Sequence, residues 1–170
     1  MRLRATIKAV FAGVIGWPVL TGTQGVANNI ETRLLAAHNR ERSALDLAPF
    51  RWNPALAREA EVWAENLASE GQLQHATAGS GFGENLWSGT SGQFAPEGMV
   101  GDWIAEKAHF ARGTFPNISR TGRFEDVGHY SQIVWRDTVH VGCAIAEGEQ
   151  EDFLVCRYAE PGNVFGEPVY

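Results

Sequence analysis

The pattern of apolar and polar positions predicts helices in the first two thirds of the chain. Apolar residues recur there every three or four positions, as they do along one face of an α-helix. The second helix has the clearest limits, because Asn53 suits the N-cap, Pro54 the first helical position and Gly71 the C-terminal exit. The predicted helices cover residues 28–48, 53–70 and 96–111.

Beyond residue 128 the pattern alternates with a period of two, which is typical of β-strands. The polar stretch 147–152 predicts the turn of a hairpin between the last two strands. The predicted strands cover residues 129–135, 139–146 and 153–158. Helices followed by antiparallel strands predict an α+β layered domain.

Two segments lack both periods and are predicted as loops. Residues 71–95 contain six glycines, and only the short run 84–87 interrupts this composition. Residues 112–127 show no clean period and are predicted to lie on the surface. Within them, Asn117 begins an N-glycosylation motif, which has meaning only in a eukaryotic secretory pathway.

The first 27 residues have the layout of a secretory signal peptide. Arg2, Arg4 and Lys8 precede an apolar run over residues 9–20, and the small residues 25–27 resemble a cleavage site. The alternative is a membrane anchor, but the run has 12 residues, whereas a spanning helix takes about 20. We therefore expect a secreted or periplasmic protein without stable membrane insertion, whose single domain covers residues 28–170.

Charge argues against a nucleic-acid partner. The first 27 residues hold three of the 14 basic residues and none of the 20 acidic ones, so the remainder has a net charge of −9. A chain this acidic is repelled by phosphate backbones, and its sequence has no basic stripe. We therefore expect no binding to nucleic acid.

The two cysteines are predicted to form a disulfide. An exported protein matures in an oxidising compartment, where paired cysteines are usually joined. If the hairpin turn is centred between Glu149 and Gln150, Cys143 lies opposite Cys156, at a Cα separation of about 4.5 Å that a disulfide can bridge. The alternative is two reduced, buried thiols.

Two glutamates and two histidines are candidates for chemistry. Glu106 falls on an apolar stripe of the third predicted helix, where a carboxylate is costly unless it is paired. His129 begins a predicted strand, His75 follows the second helix, and Glu84 lies in the glycine-rich segment. Each residue alone is equally well explained as structural or solvated, and their spacing does not bring them together.

Five short motifs follow one another along residues 30–170, namely His38-Asn39 with Arg42, residues 83–87, Trp103 with Glu106, residues 128–135 and residues 156–163. A single short motif would carry little weight, whereas five in order are specific. In the same order they resemble the motifs of the CAP family, which comprises cysteine-rich secretory, antigen 5 and pathogenesis-related proteins.

This resemblance implies a three-layer α-β-α sandwich with a central antiparallel sheet. It also implies that His75, Glu84, Glu106 and His129 meet at one cleft, where the histidines hold a divalent metal, often zinc, and the glutamates bind its water or orient the site. Neutral imidazoles suit zinc, and two protein ligands leave positions open for water or substrate. Such a site is expected to bind its metal weakly.

The chain also departs from the family pattern. Ala76 follows the first site histidine, where many members have serine, and Glu160 replaces the first proline of the last motif. Most plant and animal members have several disulfides, whereas only Cys143 and Cys156 can pair here. These sparse cysteines favour a bacterial source.

Three functions remain open, because one fold hosts several. The first is binding of a small lipid or other hydrophobic ligand, with residues 88–99 and Phe94 as a candidate rim. The second is metal-dependent hydrolysis of an ester or peptide bond, with Glu84 or Glu106 as the base. Ser131 is not expected to be a nucleophile, because the chain has no G-x-S-x-G motif. The third function is recognition by a partner protein, and we rank the three in this order.

Overall fold

A computed structural model describes residues 22–77 and 81–170 of the chain, with the backbone alone for residues 22–29. The predicted signal peptide lies almost wholly outside these residues, so its cleavage stays a prediction. Within the described ranges, no helix is both long enough and apolar enough to cross a membrane.

The described part of the chain forms four α-helices and four β-strands. Two 3-10 turns accompany them, Glu106–Ala108 directly after the third helix and Phe124–Val127 directly before the fourth. In chain order the elements are α1 (Gly22–Ala44), β1 (Arg51–Trp52), α2 (Pro54–Glu70), β2 (Gly83–Thr90), α3 (Pro96–Ala105), α4 (Gly128–Ile133), β3 (His140–Glu147) and β4 (Glu151–Ala159).

Helix α2 follows its local signals closely. Asn53 Oδ1 accepts a hydrogen bond from the N–H of Ala55 at 2.9 Å, and Gly71 ends the helix with a φ of 64°, a conformation that glycine adopts without strain. Helix α1 begins and ends earlier than predicted. It stops at Ala44 because the chain turns at Asp46, whose φ is 56°.

The sheet has the strand order β1-β3-β4-β2. Strands β3 and β4 form the predicted hairpin, and β4 also pairs antiparallel with β2. The short strand β1 runs parallel to β3, so the sheet is mixed rather than purely antiparallel. Strand β2 was predicted to be part of a loop, and this prediction was wrong. Its strand conformation comes from pairing along its whole length with β4, because strand formation depends on tertiary partners more than on local propensity.

Successive residues of β4 face two different helical layers. Phe153 and Val155 pack with the buried residues of α2, whereas Leu154, Cys156 and Tyr158 pack with the core formed by α1, α3 and α4. The protein therefore has three layers, with the sheet in the middle, which confirms the predicted α+β sandwich.

The hairpin register was predicted correctly. Cys143 and Cys156 are direct partners across β3 and β4, with Cα atoms 4.1 Å apart, and their sulfur atoms are bonded. The disulfide therefore joins two strands at the centre of the sheet, facing the larger core cluster.

The predicted strand over residues 129–135 was wrong, because this segment begins with helix α4. Both ends of the short helix are satisfied by charged side chains from distant segments. Glu106 Oε2 accepts from the N–H of Tyr130 at 3.0 Å, while Arg42 Nη1 donates to the carbonyls of Ile133 at 2.9 Å and Trp135 at 2.8 Å. Residues 130–135 are all buried, so the alternation in the sequence does not mark an exposed face.

Candidate functional site

The two candidate histidines line one cleft at the edge strand β2. His75 lies shortly after the end of α2, on one side of the sheet, and His129 lies in the first turn of α4, on the other side. Glu84 is the second residue of β2 itself. The cleft measures about 330 Å³ and is lined by His75, Glu84, Asn85, Phe124, Glu125, Gly128, His129 and Asn163.

Glu84 fixes the orientation of His75. Its Oε1 lies 2.6 Å from His75 Nδ1 and also accepts from the N–H of Ala76 at 3.1 Å. A carboxylate accepts hydrogen bonds, so Nδ1 of His75 carries a proton, and in the neutral imidazole the lone pair is on Nε2. The side chain of His75 is 65% exposed, whereas that of Glu84 is only 8% exposed.

A buried arginine lies behind Glu84. Arg157 is its direct partner across β2 and β4, and Nη1 approaches Glu84 Oε2 to 2.7 Å. The contact is an ion pair without hydrogen-bond geometry, and Glu84 Oε2 and Arg157 Nε are buried without a hydrogen bond in the part of the chain that the structure describes. A buried carboxylate needs such a counter-charge to remain ionised.

Glu106 holds His129 in the same way from the other side. Its Oε1 lies 2.6 Å from His129 Nδ1, so in the neutral imidazole the lone pair is again on Nε2. The imidazole stacks on Trp103, with ring centroids 5.8 Å apart. Glu106 is the first residue of the 3-10 turn after α3 rather than a residue of the predicted helix, and it lies behind His129 and does not line the cleft.

A buried polar chain supports His129 from the interior, and although its members lie within the motifs, the sequence analysis did not connect them with the site. Asn85 Nδ2 donates to the carbonyl of His129 at 3.1 Å and to Tyr158 Oη at 3.2 Å. The Tyr158 hydroxyl lies 2.8 Å from His38 Nε2, and His38 Nδ1 donates to the carbonyl of Leu34 at 2.8 Å. Nε2 of His38 must therefore accept, and burial lowers the pKa of His38 from 6.5 to about 4.

The arrangement offers two imidazole nitrogens and no larger ligand set. Among residues 22–77 and 81–170, no group of three or more His, Cys, Asp or Glu side chains is arranged to hold a metal. No described side chain hydrogen-bonds to Nε2 of His75 or His129. Chemically, when both imidazoles are neutral, the cleft can offer their two Nε2 atoms to a cation, with the remaining coordination positions left to water or a ligand.

The fold and the site define the class of protein, and the comparisons agree with it. Residues 35–158 match the model of the Cysteine-rich secretory protein family, CAP, so the chain belongs to this family.

The chain is similar to plant pathogenesis-related proteins. It is 34% identical over 145 residues to pathogenesis-related protein 1C of Nicotiana tabacum, a match that covers 85% of this chain and 83% of the relative. It is 32% identical over 146 residues to the pathogenesis-related protein PR-1 type of Sambucus nigra, covering 85% of this chain and 84% of that protein.

The fold is also similar to the crystal structure of NaASP2 with Zn²⁺. The two superpose with a TM-score of 0.69 over 91% of this chain and 90% of the other, at 22% sequence identity. An identity this low shows a shared fold and nothing finer.

Proposed function

We propose that this chain is an exported CAP-domain protein whose cleft binds one divalent cation, with Zn²⁺ as the best match, through Nε2 of His75 and His129. The observation that carries the proposal is the pair of 2.6 Å contacts from Glu84 and Glu106 to the two Nδ1 atoms. Metal-binding histidines typically donate their second ring nitrogen to a carboxylate in this way, which fixes the tautomer and raises the basicity of the imidazole.

Two further observations support the proposal. The Cys143–Cys156 disulfide is typical of proteins that mature outside the reducing cytoplasm, in agreement with the predicted signal peptide. NaASP2, which has the same fold, was crystallised with Zn²⁺. With two protein ligands, the cation would be held weakly and would leave positions for water or a small ligand.

The polar contacts favour binding over hydrolysis. Bound zinc would supply Lewis acidity to a water or carbonyl oxygen, and a hydrolase would also need a free general base. Oε1 of Glu84 accepts hydrogen bonds from two N–H groups, and its Oε2 forms an ion pair with Arg157. Both oxygens of Glu106 also accept hydrogen bonds, so neither glutamate has a free oxygen to act as the base. Ser131 is buried and donates to the carbonyl of Gly128 at 3.1 Å, so it is a structural residue.

Binding of a small hydrophobic ligand is the second candidate function. A groove of about 360 Å³ between the start of α1, β1, α2 and β3 is lined largely by apolar side chains, among them Ile30, Trp52 and Ile145. It lies apart from the histidine cleft, since the two share no lining residue. The rim predicted at residues 88–99 has weaker support, because the ring of Phe94 packs against Trp87 at a centroid distance of 4.9 Å.

Calorimetry with zinc tests the metal site. We expect one weak site in the wild type at pH 7.5, loss of binding in His75→Ala and in His129→Ala, and unchanged binding in the control His109→Ala, which alters an exposed histidine outside the cleft. Equal zinc affinity in all four proteins would refute the metal site.

Uptake of a fluorescent fatty acid by the same variants tests the second candidate function, which predicts that neither cleft variant loses uptake.

A further inference from the structure

The cleft offers acceptors in excess of donors. The Nδ1–H of each histidine is taken up by a carboxylate, and Asn85 Nδ2 is shared between two oxygen acceptors. Asn163 Nδ2 donates to the carbonyl of Gly128 at 3.0 Å, which leaves one of its N–H groups free. The lining also has side-chain acceptors with no hydrogen bond among the described residues, namely Oδ1 of Asn85, the carboxylate of Glu125 and, when the imidazoles are neutral, Nε2 of both histidines.

The charges of the lining residues point the same way. Glu84 is neutralised by Arg157, which lies 2.7 Å away. Glu125 is exposed and lines the cleft, and within the described residues it has neither an ion pair nor a hydrogen bond. Its carboxylate therefore has no ion-pair partner among the described residues. A carboxylate or phosphate ligand would be repelled here, whereas a cation would gain a counter-ion.

The neighbour of Glu125 provides an aromatic surface. Phe124 is half-buried and lines the cleft, and its ring packs against Phe115 in a T-shaped arrangement at a centroid distance of 5.1 Å. A planar guanidinium gains both from a carboxylate partner and from contact with an aromatic ring. The two consecutive residues thus offer the two features that an arginine side chain uses.

We infer that this cleft recognises a positively charged side chain, specifically an arginine of a peptide ligand, with Glu125 as its counter-ion. The inference deepens the proposed function, on which it rests for the location of ligand binding, by naming the ligand class of the same cleft. A metal ion and a guanidinium have charges of the same sign and would share about 330 Å³. The two therefore compete, and zinc lowers the affinity for the peptide.

The test compares two peptides that differ in one charge. Metal-free protein is titrated with acetyl-Gly-Arg-Gly-amide and with its citrulline counterpart, which has nearly the same shape and no charge, while backbone amide signals are followed by NMR. We expect the arginine peptide to shift the signals of Gly128 and Asn163 and to bind about fivefold more tightly, the size of one partly exposed ion pair. Glu125→Gln should bind both peptides alike. The control Glu149→Gln, which alters an exposed carboxylate outside this cleft, should keep the difference.

The outcomes separate this inference from the metal proposal. Equal affinity of the wild type for both peptides, or an unchanged preference in Glu125→Gln, would overturn the inference whatever zinc does. A preference for arginine that depends on Glu125 would support it even in a protein that binds no zinc, in which case only the metal proposal fails. A drop in peptide affinity on adding zinc supports both.

Discussion

The two histidine–glutamate pairs at the cleft contain the same kind of hydrogen bond, but different contacts support it in each pair. In each pair a carboxylate oxygen lies 2.6 Å from the Nδ1 of an imidazole. His75 lies after α2, is mostly exposed, and depends on a glutamate whose second oxygen meets Arg157. His129 belongs to α4, is 32% exposed, stacks on Trp103, and depends on a glutamate whose second oxygen caps that helix.

The same local geometry is therefore stabilised by different kinds of interaction in the two pairs. The His75 pair is held by a buried ion pair, in which loss of one partner leaves an uncompensated charge. The His129 pair is held by a helix end and by a hydrogen-bonded interior, in which the losses are those of single hydrogen bonds. We therefore expect the stability of the protein to depend more on the support of the first pair, and the geometry of the proposed metal site to depend more on that of the second.

The largest expected effect comes from removing the arginine of the first pair. Arg157→Met leaves the Glu84 carboxylate buried without its cation, and we expect the free energy of unfolding to fall by about 3 kcal/mol or more. Urea denaturation measures this loss. The double variant Glu84→Gln with Arg157→Met buries no charge and should recover most of the stability. If Arg157→Met were as stable as the wild type, the ion pair would not distinguish the support of the His75 pair from that of the His129 pair.

Acidification is expected to lower the stability of the protein through His38, which belongs to the buried polar chain that supports His129. His38 has a pKa of about 4 in the folded protein against 6.5 when unperturbed, because burial disfavours its charged form. Below pH 6.5 the unfolded chain takes up a proton that the native protein refuses, so this contribution is complete above pH 6.5 and is lost as the pH falls towards 4. The full loss is about 3 kcal/mol.

The measurement is the free energy of unfolding at several pH values between 7 and 4. Wild type and His109→Gln, a control that alters an exposed histidine, should lose stability along the same slope. His38→Gln should start lower, because it disturbs the contacts to Leu34 and Tyr158, and should have a shallower slope. An unchanged slope in His38→Gln would show that this residue does not carry the acid sensitivity.

The smallest expected effect is a difference in zinc affinity between variants of the two carboxylates. Glu106 accepts with both oxygens, one from His129 and one from Tyr130, so an amide cannot replace both. Glu84 accepts both of its hydrogen bonds with Oε1, and a glutamine can keep them. We therefore expect Glu106→Gln to lower zinc affinity about tenfold more than Glu84→Gln, within the range typical of residues that orient metal ligands.

Calorimetry on these two variants checks this order. Glu84→Gln should show its cost instead in the unfolding free energy, because it leaves Arg157 without an anion. The reverse order of zinc affinities would mean that the first pair, not the second, sets the geometry of the metal.

The sequence predicted those parts of the fold whose causes lie within a few residues. Asn53 and Gly71 mark the ends of α2 because a cap acts on its own helix, and the hairpin register follows from its own turn. Glu84, Glu106 and His129 lie within the family motifs, whereas His75 was assigned through the resemblance as a whole, and the spacing of the four residues alone did not bring them together. Asn85, Arg157 and Tyr158 were missed because their roles depend on the pairing of β2 with β4 and on contacts with distant elements.

By itself, the sequence determined the class of fold, the disulfide pairing and the family, because helix caps, alternation and motifs each depend on residues that are close together in the sequence. Only the tertiary structure decided that residues 128–133 are a helix and residues 83–90 a strand. The ends of α4 are satisfied by Glu106, 24 residues before Tyr130, and by Arg42, 91 residues before Ile133. Strand β2 exists through its pairing with β4. Backbone groups must find partners, and when those partners come from distant segments, the local sequence carries no record of them.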